Sequence, residues 1–424
     1  MINSEIISAY VGSDQVERLY LGSDIVWEMT QPTPPEPVGP LPPVAHGDNV
    51  PLSFLMLQDG YVGLRCLSGI SATQSSASLG SSKSLDYKIY GPGHYWGNED
   101  EEFDEESVTS SGTLTITNQS HGQTELVFVP SGHTICFFGP NNSQGGLISY
   151  TGSSRLQVTQ SLTFDGFYVS GSPYQTALVY GNIMSIVMTE LYFEQIYPYE
   201  HTSLLSDVDM NAYTFNGLFY DESVRTGQPR SGIMFPSNIE DTLIIPGGHG
   251  ETLTSGCTNM MFMGCENLTK APALPATTLA PNCYGLMFSC CKNLTTAPAL
   301  PATTLAPNCY TWMFEQCTGL TQAPALPATT LTNSCYNHMF YGCTSLTTAP
   351  ELPATTLTGS CYNNMFAGCT SLNYVKCLAT SGSGTTNWLS GVSSTGTFVK
   401  HPNKTWSTGT GGIPEGWTVQ DAVI

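Results

Sequence analysis

Residues 323–348 read APALPATTLTNSCYNHMFYGCTSLTT, and closely similar 26-residue copies occupy 271–296, 297–322 and 349–374. Each copy contains Ala-Pro-x-Leu-Pro-Ala-Thr-Thr-Leu, then Cys-Tyr-x-x-Met-Phe-x-x-Cys, then a leucine. A fixed period of this length is typical of stacked units that share one continuous core. The sequence therefore predicts a solenoid over residues 254–380.

The Cys-Tyr-x-x-Met-Phe-x-x-Cys segment has the spacing of a short helix. At about 100° per residue, the recurring Cys, Tyr, Met, Phe and Cys fall within an arc of roughly 140°. The residues that differ between copies fall on the other side. We predict a short helix in each unit, with the recurring residues in the core. The Leu-x-x-Ala-Pro-x-Leu-Pro segment should supply a short strand, which its prolines keep brief.

The residues that differ between copies, which we expect to face outward, include larger and more varied side chains than a solvated surface needs. We interpret them as a recognition surface for a protein or glycan, with two aromatic residues, Trp312 and Tyr341, as anchors. The alternative is unconstrained variation at solvated positions. The candidate ligand-binding residues are Met260, Leu286, Trp312, Glu315, His338, Tyr341, Asn363 and Asn364.

The cysteines of the repeat recur in pairs eight residues apart. In one helix this spacing separates them by about 12 Å, which is beyond the reach of a disulfide. Zinc sites favour denser Cys-x2–4-Cys clusters. We therefore predict buried free thiols stacked from unit to unit, and no metal or other cofactor. Cys290 occupies a variable position, where we expect exposure.

The rest of the chain indicates a mainly β protein with several parts. Residues 1–28 contain a small duplication around two Gly-Ser-Asp turns, which predicts a three-stranded meander. A proline-rich linker spans 29–49 and a β-sandwich or jelly-roll spans 50–200, interrupted by an acidic loop at 99–106. Residues 201–253 form a transition and cap, in which 212–220 is a degenerate first coil. A second cap spans 381–424.

Composition and motifs exclude several functions. The 424 residues carry a formal charge of −21, which repels nucleic acid and anionic membranes. No apolar run is long enough for a transmembrane helix, and the N-terminus lacks the features of a signal peptide. No nucleotide-binding, hydrolase or metal-ligand motif is present. We expect a non-enzymatic protein, although a carbohydrate-active site formed by distant carboxylates in the sandwich is an alternative.

The repeat resembles a known family. Met339-Phe340-Tyr341-Gly342-Cys343-Thr344-Ser345-Leu346 is similar to the core of BspA-like leucine-rich repeats, with Met in place of the family's Ala and a longer period. The Leu-Pro-Ala-Thr-Thr-Leu variant resembles proteins of gut Bacteroides-type bacteria and their tailed phages. The likeness covers residues from about 180 to 424. It implies a leucine-rich-repeat fold and surface attachment.

The N-terminal duplication resembles short segments that begin phage virion proteins. This resemblance implies a virion fibre, decoration or tail-associated protein, assembled in the host cytoplasm as a homo-oligomer. Its N-terminus would bind other virion proteins, and its solenoid would bind a host surface protein or glycan. The alternative is a bacterial cell-surface adhesin. The candidate attachment residues are Tyr10, Val16, Tyr20, Val26 and Trp27.

Overall fold

The computed structural model divides into two compact units, Met1–Pro42 and Pro43–Ile424. It describes residues 50–65, 83–93, 107–116, 124–139, 167–170, 177–187, 233–247, 253–409 and 411–424. It also describes the short segments 10–11, 14–15, 18–21, 24–28, 148–151, 155–158, 193, 208–209, 215 and 217–220. No helix in these ranges is long and apolar enough to cross a membrane.

The first unit contains two separate antiparallel pairs. They are β1 (Tyr10–Val11) with β2 (Asp14–Gln15), and β3 (Arg18–Leu21) with β4 (Asp24–Glu28). In both pairs a Gly-Ser dipeptide lies between the strands, since Val11 pairs with Asp14 and Leu21 with Asp24. The duplication therefore gives one hairpin per copy, and the predicted three-stranded meander is wrong for the described residues. The predicted linker at 29–49 lies outside the described residues.

The second unit begins with short strands, as its alternating sequence predicts. They are β5 (Ser53–Met56), β6 (Gly60–Arg65), β7 (Lys83–Tyr90), β8 (Val108–Ile116), β9 (Thr124–Val129), β10 (Thr134–Phe138), β11 (Ile148–Thr151), β12 (Arg155–Val158), β13 (Phe167–Ser170), β14 (Ala177–Asn182), β15 (Val208–Asp209), β16 (Ile233–Met234) and β17 (Leu243–Ile244). A 3-10 helix (Ile183–Val187) follows β14, and helix α1 (Ile239–Thr242) precedes β17. The mainly β prediction is confirmed. The acidic loop lies outside the described residues.

Three sheets arise from these strands. The largest has the order β16-β14-β5-β10-β7-β8, with β17 also paired to β14; the others are β13-β6-β9 and β11-β12-β15. Phe54 and Phe137 of the largest sheet contact Phe167 of the second, with ring centroids 5.1 and 4.9 Å apart. Apolar side chains of the two sheets thus meet in a shared core. That core continues without a break into the repeat region.

The repeated units stack through an alternating pattern of backbone hydrogen bonds. In residues 308–317, odd-numbered N–H groups donate to the carbonyl three residues back, as from Met313 to Tyr310 at 3.3 Å. Even-numbered N–H groups donate to the next coil, as from Trp312 to Asn337 at 2.9 Å. An α-helix would use these donors internally. The predicted short helix is therefore wrong, and each segment is a run of consecutive turns.

The proline-containing side of each coil pairs only briefly with its neighbours. Single parallel bridges join Lys270 to Thr296, Gln322 to Thr348 and Thr348 to Tyr374. Defined strands appear only toward the end of the stack: β18 (Thr356–Leu357), β19 (Tyr374–Cys377), β20 (Ser381–Gly382), β21 (Thr397–Lys400) and β22 (Thr418–Asp421). Since proline cannot donate to a ladder, the Ala-Pro-x-Leu-Pro segment limits pairing, as predicted.

Side chains inside the stack form columns. The phenyl rings of Phe288, Phe314 and Phe340 are near-parallel, with centroids 5.6 and 5.5 Å apart. Tyr310 and Tyr336 stack in a second column at 5.6 Å. The prediction that the recurring Cys, Tyr, Met and Phe face the core is confirmed, because all are buried.

The thiols take part in this interior order. Thirteen cysteines are described; all are free, and twelve are buried. The second cysteine of each coil donates to the phenylalanine carbonyl of the preceding coil, as from Cys317 Sγ to Phe288 O at 3.1 Å. The same bond recurs at Cys291, Cys343 and Cys369. The cysteines are therefore core side chains that link adjacent coils.

Different segments cover the two ends of the stack. Near its start, the N–H groups of Phe215, Gly217 and Phe219 donate to the first coil in the alternating pattern. Near its end, β19, β21 and β22 form a parallel sheet. There the buried Trp388 stacks on Tyr362 and Trp406, and its indole N–H donates to Gly412 O at 2.8 Å. At the first end Phe219 stacks on Phe262, and at the second end the partly exposed Trp406 is the last ring of the tyrosine column.

Candidate recognition surface

The backbone of each coil has left-handed dihedral angles at three positions, four residues apart. In one coil these are Asn308, Trp312 and Gln316, with φ of 56°, 58° and 57°. Glycine adopts this conformation readily, and asparagine does so more easily than most residues. The first position holds Gly256, Asn282, Asn308, Ser334 and Ser360, and the third includes Gly264, Gly342 and Gly368. Short side chains therefore predominate at these two positions.

The middle position carries much larger side chains, although its backbone has the same conformation. Its members, here called the outward column, are Met260, Leu286, Trp312, His338 and Asn364, with φ between 51° and 58°. A side chain in this region costs roughly 1–2 kcal/mol relative to the right-handed form. Backbone geometry therefore does not explain why Met, Leu, Trp and His stand there. Such outliers cluster at functional sites in many proteins.

The outward column begins at an apolar end. Met260 and Leu286 pack against Tyr220 and Met263, which are themselves buried. Tyr220 and Met263 were not among the sequence-predicted residues. Met263 follows Met260 by three residues in the same turn, so the spacing could have indicated their contact. The structure thus places two of the predicted residues over a small apolar cluster.

Three predicted residues come together further along the stack. The rings of Trp312 and His338 lie 3.6 Å apart between centroids and within 11° of parallel. Tyr341 is tilted against both, with its ring centroid 5.9 Å from Trp312 and 5.6 Å from His338. All three are partly exposed. We call this group the aromatic cluster.

The aromatic cluster presents polar edges to solvent. Within the part of the chain that the structure describes, the Trp312 indole N–H and the Tyr341 hydroxyl have no protein hydrogen-bond partner, and neither atom is buried. His338 Nδ1 lies against Asn337 Oδ1. Partial burial lowers the pKa of the His338 imidazole, which favours the neutral ring near pH 7. The cluster therefore offers uncharged donors and acceptors on an apolar base.

The other predicted residues lie beside this cluster. Glu315 Oε2 accepts a hydrogen bond from Ser289 Oγ at 2.9 Å, across adjacent coils. Asn363 Oδ1 accepts from the Thr386 N–H at 3.0 Å, so its oxygen has a structural role. Asn364 is partly exposed at the end of the outward column. Sequence reasoning missed Ser289, although it stands 26 residues before Glu315 and the repeat period implies their proximity.

The candidate attachment residues belong to the first unit. Tyr10 lies on β1, Tyr20 on β3, and Val26 and Trp27 on β4, where Trp27 pairs with Leu19. Val16 lies outside the described residues. Only the backbone of these strands is described, so their role in attachment stays a prediction.

The cysteine columns are poorly suited to reaction. Mainly through burial, the pKa of Cys257 is raised to about 11 and that of Cys309 to about 12. A nucleophilic or metal-binding thiol needs the opposite shift. Among the described residues there is no group of three or more His, Cys, Asp or Glu placed to hold a metal ion. Cys290, which faces outward, is partly exposed.

Comparison of the chain with protein-family models, curated proteins and solved structures found no match.

Proposed function

We propose that this chain is a non-enzymatic binding protein displayed on a virion as a fibre, decoration or tail-associated component. In this proposal the N-terminal unit attaches to other virion proteins, and the outward column with its aromatic cluster binds a ligand on the host cell surface. An internal core that repeats while outward side chains differ suits such a display role.

One observation carries the proposal. Large side chains occupy a left-handed backbone position for four consecutive coils, and three aromatic rings gather there, of which Trp312 and Tyr341 have unpaired polar groups. Aromatic residues with an apolar body and a polar tip are the usual anchors of binding surfaces. A surface of unconstrained, solvated positions would instead be expected to hold the short residues found at the two flanking positions.

A binding experiment tests the recognition part of the proposal. The full chain, fluorescently labelled, is added to gut Bacteroides-type cells, the hosts that the sequence resemblance implies. The double variant Trp312→Ser/Tyr341→Ser should bind at least about tenfold more weakly, a loss of roughly 1.4 kcal/mol. Thr329→Ser, an exposed threonine outside the turns, is the control and should bind like the unaltered chain. Equal binding by the double variant would refute the recognition surface.

A localisation experiment tests the virion part. An antibody against the repeat region should label purified phage particles in electron micrographs. Labelling of bacterial surfaces in phage-free cultures would favour the cell-surface adhesin instead. Release of sugars from host polysaccharide by the purified chain would favour an enzyme with a site in the β-rich region.

A further inference from the structure

We infer that the ligand of the aromatic cluster is an uncharged glycan. This inference rests on the proposed function, because it names the chemical class of ligand for the same surface. It follows from the near-absence of charge, the type of exposed polar groups and the spacing of the coils.

Charge is almost absent from the turns that form this surface. The five turn segments are 255–264, 281–290, 307–316, 333–342 and 359–368. They contain no lysine or arginine, and their single carboxylate is that of Glu315. Glu315 already accepts a hydrogen bond from Ser289. His338 is the remaining titratable group with a possible positive charge, and its burial favours the neutral form. A sulfated or sialylated ligand would find no cation here, and the chain's charge of −21 would repel it.

The same observation disfavours a protein ligand. About a quarter of the residues in an average protein are charged, and complementary charges usually steer and align two protein partners. Five successive turn segments with one engaged carboxylate provide no such match. A protein ligand is therefore the competing outcome of the test.

The exposed polar groups suit hydroxyl groups of a sugar. The indole N–H of Trp312 is a donor, while the hydroxyl of Tyr341 donates and accepts. Asn364, in the next coil, adds an amide with both functions. Trp312 and His338 cover one face of each other, and the ring edges and remaining ring faces of the cluster can contact the C–H groups of a pyranose. A neutral sugar presents this combination of hydroxyls and apolar faces.

The coil spacing suits a linear chain of sugars. Equivalent phenyl rings of adjacent coils are 5.5–5.6 Å apart, which is comparable with the length of one pyranose residue. A glycan that runs along the stack could place one sugar beside His338 and Tyr341 and the next beside Asn364. The inference is thus an extended oligosaccharide with successive sugars on successive coils.

The test uses the full chain on immobilised oligosaccharides: neutral gluco-, manno-, galacto- and N-acetylhexosamine oligomers, with sialylated and sulfated counterparts. The double variant Trp312→Asn/His338→Asn removes both rings. Asparagine fits this left-handed position, because Asn364 occupies it in another coil. The matched control, Ser334→Asn, gives the first left-handed position of that coil the residue that Asn282 and Asn308 provide in others.

We expect binding to at least one neutral oligomer, reduced at least about tenfold in the double variant and unchanged in the control. Because the ligand is uncharged, affinity should change less than about twofold between low and high salt. Binding restricted to sialylated or sulfated sugars, or no binding to any neutral oligomer, would overturn the inference.

Treated cells separate this inference from the proposed function. Periodate, which cleaves vicinal diols, should abolish binding to cells, whereas protease should not. If cell binding depends on Trp312 but is lost only after protease, the ligand is a protein and the glycan inference alone fails. If cell binding does not depend on the aromatic cluster, the proposed function fails as well.

Discussion

Raising the pH should unfold the repeat region, because its thiols are held protonated in the core. Burial raises the pKa of Cys309 and Cys335 from 9.0 to about 12, and the pKa of Cys369 and Cys377 likewise reaches about 12. In the unfolded chain the same groups ionise near 9. Protonated thiols thus favour the folded state, and this contribution is complete below pH 9 and is lost as the pH rises toward 12.

The size of the effect follows from the two pKa values of each thiol. At pH 10 an unfolded thiol is mostly ionised, while a buried one is not, so each loses about 1.4 kcal/mol of its stabilising contribution. The four thiols above and Cys257 together lose roughly 5–7 kcal/mol, estimated in the same way. This is comparable with the whole unfolding free energy of an ordinary domain, about 5–15 kcal/mol.

Urea unfolding under reducing conditions at pH 7, 8, 9 and 10 measures this loss. We expect the midpoint, followed by tryptophan fluorescence and circular dichroism, to be nearly constant to pH 8 and to fall steeply by pH 10. The double variant Cys309→Ala/Cys335→Ala should be less stable at pH 7. Near pH 10, however, its unfolding free energy should fall less steeply with pH than that of the unaltered chain, by roughly 2 kcal/mol per pH unit. A midpoint that does not move between pH 7 and 10, or an unchanged slope in the variant, would refute the reasoning.

Three further changes probe the stack and its turns. Phe314→Ala removes a buried ring from the middle of its column and should lower the unfolding free energy by about 3–5 kcal/mol. Thr329→Ala, on the exposed side, is the control and should change it by less than about 0.5 kcal/mol. Equal denaturation midpoints for the two variants would contradict the packing. Gly342→Ala should lower the unfolding free energy by more than about 1 kcal/mol, because φ at this position is 72° and the new Cβ would meet the Gln316 amide. Thermal unfolding should show a lower Tm, and an unchanged Tm would exclude this strain. Of the thirteen described thiols, Cys290 alone should react quickly with a thiol reagent at pH 8 in the folded protein; mass-spectrometric mapping that finds rapid labelling at buried cysteines would contradict their burial.

The repeat period and the division into inward and outward residues could be read from the sequence, whereas the backbone conformation was misread. A run of turns that repeats every four residues places two residues inward and two outward, which over nine residues differs little from a helix. The asparagines at 282 and 308 and the glycines at 342 and 368 carried the missing signal. Each of these residues stands at the first or third left-handed position of its coil, and residues of these two types favour left-handed turns over a helix.

Most members of the candidate site were predictable from the sequence, but its geometry was not. Trp312 and His338 are one period apart, so their contact follows once the coils are known to stack in register. The tilt of Tyr341, the apolar cluster around Met260 and the lowered pKa of His338 depend on side-chain packing across coils. In the N-terminal unit, two duplicated turns were consistent with either a meander or separate hairpins, because local turn signals do not determine which strands pair.

Because of the alternating hydrogen bonds, every coil has a donor edge toward the next coil and a matching acceptor edge toward the preceding one. Excision or duplication of one complete 26-residue unit would therefore rejoin matching edges, with the phenyl, tyrosyl and thiol columns still in line. Genetic exchange between copies could reorder the exterior residues while the interior is preserved. Rearrangement of its internal units would thus change the outer surface of this protein without a change to its interior packing.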